Sequence, residues 1–156
     1  MKVTYLGTGA AEGIPALFCN CAYCKGVRRR GEFRSRSQVL IDGELSVDFP
    51  PDCAYHAAKF GADLSAVKYL IVTHSHMDHF YAHDLILRGY KYAWNMTSPT
   101  LEIYGNAEVC EVFAECTRRE LRQEIAESIL VQPVSAFELV EFGNYKVYSL
   151  LAKHTS

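Results

Sequence analysis

The apolar and polar positions of this chain alternate in short blocks that predict a strand-rich fold with interleaved helices. Lys2 to Leu6 reads as a first strand, and the β-branched run Val67 to Val72 as a buried one. Ser37 to Ile41 and Leu45 to Phe49 predict two strands joined at Asp42-Gly43, a dipeptide suited to a tight hairpin. Asp48 falls at the end of the second of these. Asp52 stands where it can cap a helix over Cys53 to Phe60, and Gly61 would end it. His56, alone on that helix, reads as a surface or packed residue. Ala82 to Arg88 predicts a short helix, and Leu101 to Tyr104 another strand. Asn106 opens an amphipathic helix whose apolar positions Val109, Val112, Phe113 and Cys116 recur at helical spacing. Ile129 to Val131, Phe137 to Val140 and Tyr145 to Leu151 complete the strands, the last pair turned at Gly143-Asn144.

Between these elements lie loops of differing promise. Gly7 to Gly13 is a glycine-rich turn with no Gly-Lys-Ser/Thr after it, so it reads as a loop needing positive φ rather than a phosphate cradle. Lys25 to Arg36 holds six basic residues against the one acid Glu32. A solvated loop face is the simpler reading, and a phosphate-facing patch the sharper one. Tyr90, Tyr92 and Trp94 either line a pocket or pack.

Composition narrows the class. A chain of 156 residues, 49% hydrophobic and with a formal charge of −2, is expected to be one domain over residues 1–156 with a real core. Its charge argues against a surface built to coat nucleic acid. No window offers the ~20 apolar residues of a membrane span. The N-terminus reads as a strand rather than a signal peptide, and the cysteine spacing does not read as a disulfide framework. A reducing cytoplasm is the expected location.

The chemistry concentrates in Thr73-His74-Ser75-His76-Met77-Asp78-His79, directly after an apolar strand. Imidazole nitrogen and carboxylate oxygen suit zinc, and also manganese or iron. In an extended segment His74 and His76 point at one ion, while Asp78 and His79 reach a second. Two ions ~3.5–4 Å apart stabilise attacking and leaving oxygens and lower the pKa of bound water towards ~7. Asp48 is the candidate partner for an imidazole of this set, and Asp48 and Asp78 are the candidate catalytic carboxylates. His83, four residues after His79, is read as a packed or surface residue that could also share a helix face with it. A second cluster, Cys19-Asn20-Cys21-Ala22-Tyr23-Cys24, has the spacing of a zinc knuckle with three of four ligands local.

His-x-His-x-Asp-His after a hydrophobic strand resembles the second motif of the metallo-β-lactamase superfamily. Leu6-Gly7-Thr8-Gly9 is similar to that family's opening strand and turn, Asp48 to its first-motif aspartate and His154 to its third-motif histidine. The resemblance implies an α/β (α+β) fold, the N-terminal half of an αββα sandwich, with a mixed sheet and flanking helices. It implies a hydrolase with two divalent ions held by His74, His76, His154, Asp78 and His79. Cys19, Cys21 and Cys24, with the basic stretch after them, resemble the phosphoribosyl cyclic phosphodiesterase branch, where such cysteines and a distant histidine hold a structural zinc. A cofactor-biosynthesis accessory branch shares that cysteine motif. Ala82 departs from the family's usual glycine. The family's bridging aspartate, its further metal-binding histidine and the structural-zinc histidine would lie beyond Ser156, in following sequence or another chain. The expected activity is hydrolysis of a small phosphodiester or nucleotide-like substrate, with nucleic acid less favoured. The alternatives are a tRNA-processing nuclease of the same superfamily and a non-catalytic metal- or partner-binding half-domain. A homodimer is allowed for.

Overall fold

The alternation along each strand sorts apolar side chains onto the two faces of one mixed sheet. The structure is a computed structural model that describes residues 1–89 and 91–152. Six strands pair in chain order: β1 (Val3–Gly7), β2 (Gln38–Ile41), β3 (Leu45–Val47), β4 (Tyr69–Ile71), β5 (Leu101–Gly105) and β6 (Ile129–Pro133). β1 pairs with β2 and β2 with β3 antiparallel, whereas β3, β4, β5 and β6 are parallel to one another. The switch follows from the connections. Asp42 and Gly43, with φ of 52° and 80°, close the β2–β3 hairpin, and only longer crossovers can return a parallel strand.

Leu40, Leu70, Leu101 and Ile103 lie on one face and pack with Phe80, Leu85 and Val109. The helices that cover the sheet and its edges are α1 (Ala22–Arg30), α2 (Cys53–Phe60), α3 (Ala107–Thr117) and the short α4 (Gln123–Ala126), with a 3-10 turn over Ala82–Leu87. The opposite face presents Ile41, Leu45, Tyr69, Ile71 and Tyr104, and a hairpin of β7 (Leu139–Phe142) and β8 (Tyr145–Tyr148) packs on it. Phe142 is the anchor, stacked on Tyr104 at 4.5 Å between ring centroids and 4.8 Å from Tyr69. The hairpin does not reach β1, whose Val3 and Tyr5 share the face of Ile41 and Val39 and stay 45% and 69% exposed.

Several expectations need correction. Asp52 precedes α2 as expected, but its side chain makes no cap hydrogen bond. Arg36 takes it instead, donating from its backbone N–H at 2.8 Å and its guanidinium at 3.0 Å. Only Gly13 of the first glycine loop has positive φ, at 68°. Gly7 and Gly9 are required by close approach, because a Cβ on Gly7 would lie 1.8 Å from the Arg36 carbonyl oxygen. The basic stretch begins as helix rather than loop, ended by Gly31 at φ 66°. Three of its five arginines have structural partners: Arg28 donates to Ala16 O, Arg30 pairs with Glu32, and Arg36 holds Asp52 and Ala11 O. This favours the reading of a solvated, structural face over a phosphate patch. Tyr92 and Trp94 are 55% and 77% exposed, so neither lines a closed pocket, and Tyr90 lies outside the described residues.

Candidate metal centre

Parallel strands collect their loops at one edge, and ligand sites in such sheets lie beyond the carboxyl ends of the strands. Here Asp48 directly follows β3, and β4 leads into Thr73–His79. Asp48 adopts φ 65°, a left-handed conformation uncommon outside glycine. Its own N–H stays in register, donating to Ile71 O at 2.8 Å. The turn swings the carboxylate under the histidine loop, where Asp48 is 3% exposed.

The loop is clamped from both sides. Phe49 N–H donates to His79 O at 2.7 Å, and Tyr81 N–H donates to Phe49 O at 2.7 Å. Within it, His79 and Phe80 both donate to His76 O, at 2.9 and 2.8 Å. Asp48 Oδ1 accepts from the Thr73 N–H and hydroxyl, at 2.9 and 2.8 Å. Its Oδ2 lies 2.6 Å from His79 Nδ1. An ionised carboxylate only accepts, so Nδ1 is the donor of this contact and Nε2 is the ring nitrogen left for an ion.

The other candidate ligands stand beside His79 on the same loop. The rings of His74 and His79 are 4.2 Å apart between centroids, and those of His74 and His76 are 4.7 Å apart. Asp78 Oδ2 is 3.3 Å from His79 Nε2. Four groups bearing nitrogen or oxygen donors therefore share one loop, a donor set that suits a divalent ion. His154 lies outside the described residues. His83 is exposed and rests beside Tyr81 at 5.1 Å, and His79 is not helical, so the two share no helix face.

The second cluster is tighter. Among the described residues, Cys19, Cys21 and Cys24 form a group of three ligand atoms all within 4.8 Å of one another, which the histidine loop does not. Cys21 caps α1 and its Sγ accepts from the Cys24 N–H at 3.5 Å. That backbone donor, with the neighbouring thiols, lowers the Cys21 thiol to about 7. Burial contributes to the opposite direction at Cys24. Three thiols so placed fit a thiophilic ion such as zinc.

Sequence reasoning assigned no role to Thr73, which joins Asp48 to the loop twice. A threonine directly between a strand and a histidine motif was the available signal. His56, expected as a surface or packed residue, is packed: fully buried and hydrogen-bonded on both ring nitrogens.

Known proteins place this architecture. The described chain contains no helix long and apolar enough to cross a membrane. The chain is 33% identical over 84 residues to an octanoyltransferase of Porphyromonas gingivalis, a match covering 51% of this chain and 16% of that protein. A diphosphatase from the PhnP family superposes with a TM-score of 0.67 at 22% identity, covering 94% of this chain and 54% of that one. Zinc-bound PqqB from Methylobacterium extorquens superposes with a TM-score of 0.65 at 20% identity, covering 89% and 51%. The chain thus spans about half the length of these two structures and a smaller share of the curated relative. The profile of the metallo-beta-lactamase superfamily matches residues 37–128, which include Asp48 and the whole histidine loop. This chain belongs to the metallo-beta-lactamase superfamily.

Proposed function

We propose that this chain supplies the metal-binding half of a hydrolase that cleaves small phosphodiesters. The observation that carries the reading is the Asp48–His79 contact, which engages Nδ1 and leaves Nε2 facing Asp78 on the loop that also holds His74 and His76. Orienting an imidazole through a buried carboxylate is how proteins prepare histidine for a metal.

In this reading His74 and His76, with His154, hold one divalent ion, and Asp78 and His79 contribute to a second. Zinc is the first candidate, with manganese and iron as alternatives. Bound ions supply Lewis acidity and a water of lowered pKa. The chain's own residues do the rest. Asp48 fixes the His79 tautomer, and Thr73 fixes Asp48. Asp78 stands at the ligand edge of His79, where its second carboxylate oxygen can accept a proton. Cys19, Cys21 and Cys24 hold a structural zinc whose fourth ligand comes from elsewhere. The choice of phosphodiesters is supported by that cysteine cluster together with the likeness to a diphosphatase of the PhnP family.

The test is an assay of the full-length, metal-loaded protein on phosphodiesters, β-lactams and thioesters side by side. Chelator-sensitive phosphodiester turnover is expected. Turnover of another ester with none on phosphodiesters would overturn the substrate class. Bound metal with no turnover on any of them would favour a metal-binding half-domain.

A further inference from the structure

Behind Asp48 lies a line of buried polar groups that contributes no candidate ligand. His56 on α2 and Gln38 on β2 are 0% exposed, Ser46 on β3 is 1% and Ser35 is 4%. His56 Nδ1 lies 2.6 Å from Gln38 Oε1, and its Nε2 lies 2.6 Å from Ser35 Oγ. Gln38 Nε2 donates to Ser46 Oγ at 3.0 Å and to the Asp48 carbonyl at 3.4 Å. Ser46 Oγ donates to the same carbonyl at 2.9 Å.

The direction of this line is fixed by what each group can donate. A carbonyl oxygen only accepts, so Gln38 turns its NH₂ toward Asp48 and its Oε1 toward His56 at 2.6 Å, where the Cys53 thiol also donates at the longer distance of 3.7 Å. His56 then donates from Nδ1 and, when neutral, accepts at Nε2 from the Ser35 hydroxyl at 2.6 Å, a shorter contact than that hydroxyl's alternative acceptor Leu6 O at 3.5 Å. Burial holds the His56 pKa below its ordinary value, which favours that neutral form. If Gln38 rotated by half a turn, its Oε1 would face the Asp48 carbonyl, acceptor against acceptor in a buried site. The carbonyl matters because Asp48 sits at φ 65°, a conformation that persists only where its surroundings enforce it.

We propose that His56 is a positioning residue for the metal centre: by fixing the amide orientation of Gln38 it pins the Asp48 backbone, and through Asp48 it aims Nε2 of His79. The inference rests on the metal-dependent reading above and adds a residue remote from every ligand motif.

Manganese favours oxygen and imidazole donors over thiolates, so its binding reads the histidine loop and not the cysteine cluster. The experiment is manganese titration of the full-length protein, followed by loss of the free-ion paramagnetic resonance signal. His56→Leu removes the Nδ1 donor and is expected to weaken binding about tenfold, the lower end of the range for outer partners of metal ligands. His56→Asn, whose amide can replace that donor, is expected to restore most of the affinity. A folded His56→Leu protein with wild-type affinity would overturn the proposal. Nitrogen-15 spectra of the wild-type protein give a second readout that needs no variant. They should show a neutral His56 protonated at Nδ1, and a proton at Nε2 alone would equally overturn it. Failure of the wild-type protein to bind either manganese or zinc at the histidine loop would instead overturn the metal-dependent reading, which keeps the two failures apart.

Discussion

Asp48 Oδ2 and His79 Nδ1, 31 residues apart in the chain, meet at 2.6 Å beneath the loop that carries the other candidate ligands. The contact joins the end of one parallel strand to the loop after the next, so the sheet itself sets its geometry. It also decides the chemistry of His79, because only one imidazole nitrogen remains able to bind an ion.

Asp48→Asn separates charge from shape at this point. With its oxygen held by Thr73, asparagine turns an NH₂ to His79 Nδ1, so the imidazole proton moves to Nε2, the nitrogen that would bind the ion. Zinc affinity of the histidine loop is expected to fall about 10–100-fold, read by competition with a chromophoric chelator. Unchanged affinity would remove Asp48 from the ligand-orienting role.

Burial of His56 makes stability depend on pH in a defined direction. Its pKa is depressed in the folded state, chiefly by burial, while Asp52 acts weakly the other way. Below its ordinary value of about 6.5 the unfolded chain binds a proton that the folded chain refuses. The stabilising contribution is therefore full above about pH 6.5 and declines as pH falls towards the folded-state value. Urea unfolding at about pH 7.5 and about pH 5.5 should show a smaller acid loss for His56→Asn than for the wild type. Equal losses would contradict the depressed pKa.

The cysteines should divide sharply in reactivity once metal is removed. Cys21, exposed and lowered to about 7, is expected to react first with iodoacetamide at neutral pH. Cys53, buried and pushed far above the ordinary thiol range by desolvation, should resist until the chain unfolds. Zinc should protect Cys19, Cys21 and Cys24 together. Peptide mass mapping reads all four.

Two helix-start residues should behave differently. Asn106 accepts from the Val109 N–H at 3.0 Å, so Asn106→Ala is expected to cost about 1 kcal/mol, an ordinary cap. Asp52→Ala should cost about 1.5–3 kcal/mol because it loses two hydrogen bonds from Arg36 rather than a cap. In the double variant with Arg36→Ala the costs should fall short of additivity, as measured by denaturant unfolding.

Those residues also show what could be read from the chain alone. Local rules worked where the partner was local: Asn106 caps α3, Gly61 ends α2 at φ 65°, and Asp42-Gly43 turns the hairpin. Asp52 carried the same signal as Asn106, but Arg36, 16 residues away, competes for it, and no local pattern records that competition. The histidine motif was legible because its donors are adjacent in sequence. The line from His56 through Gln38 to Asp48 was not, because it is assembled across β2, β3 and α2 by tertiary packing. The α1 helix escaped notice for another reason: only Cys24 and Val27 on it are buried, too few to set a period.

The central claim is that the histidine loop, oriented by Asp48, holds the ions of a hydrolase. An anomalous-difference map from crystals of the zinc-loaded, full-length protein tests it most directly. The account predicts a peak about 2.0–2.1 Å from Nε2 of His79, shared with Asp78, with the Nδ1–Asp48 hydrogen bond intact. A map with zinc at the cysteines and none at the loop, or with zinc on Nδ1 of His79, would contradict it.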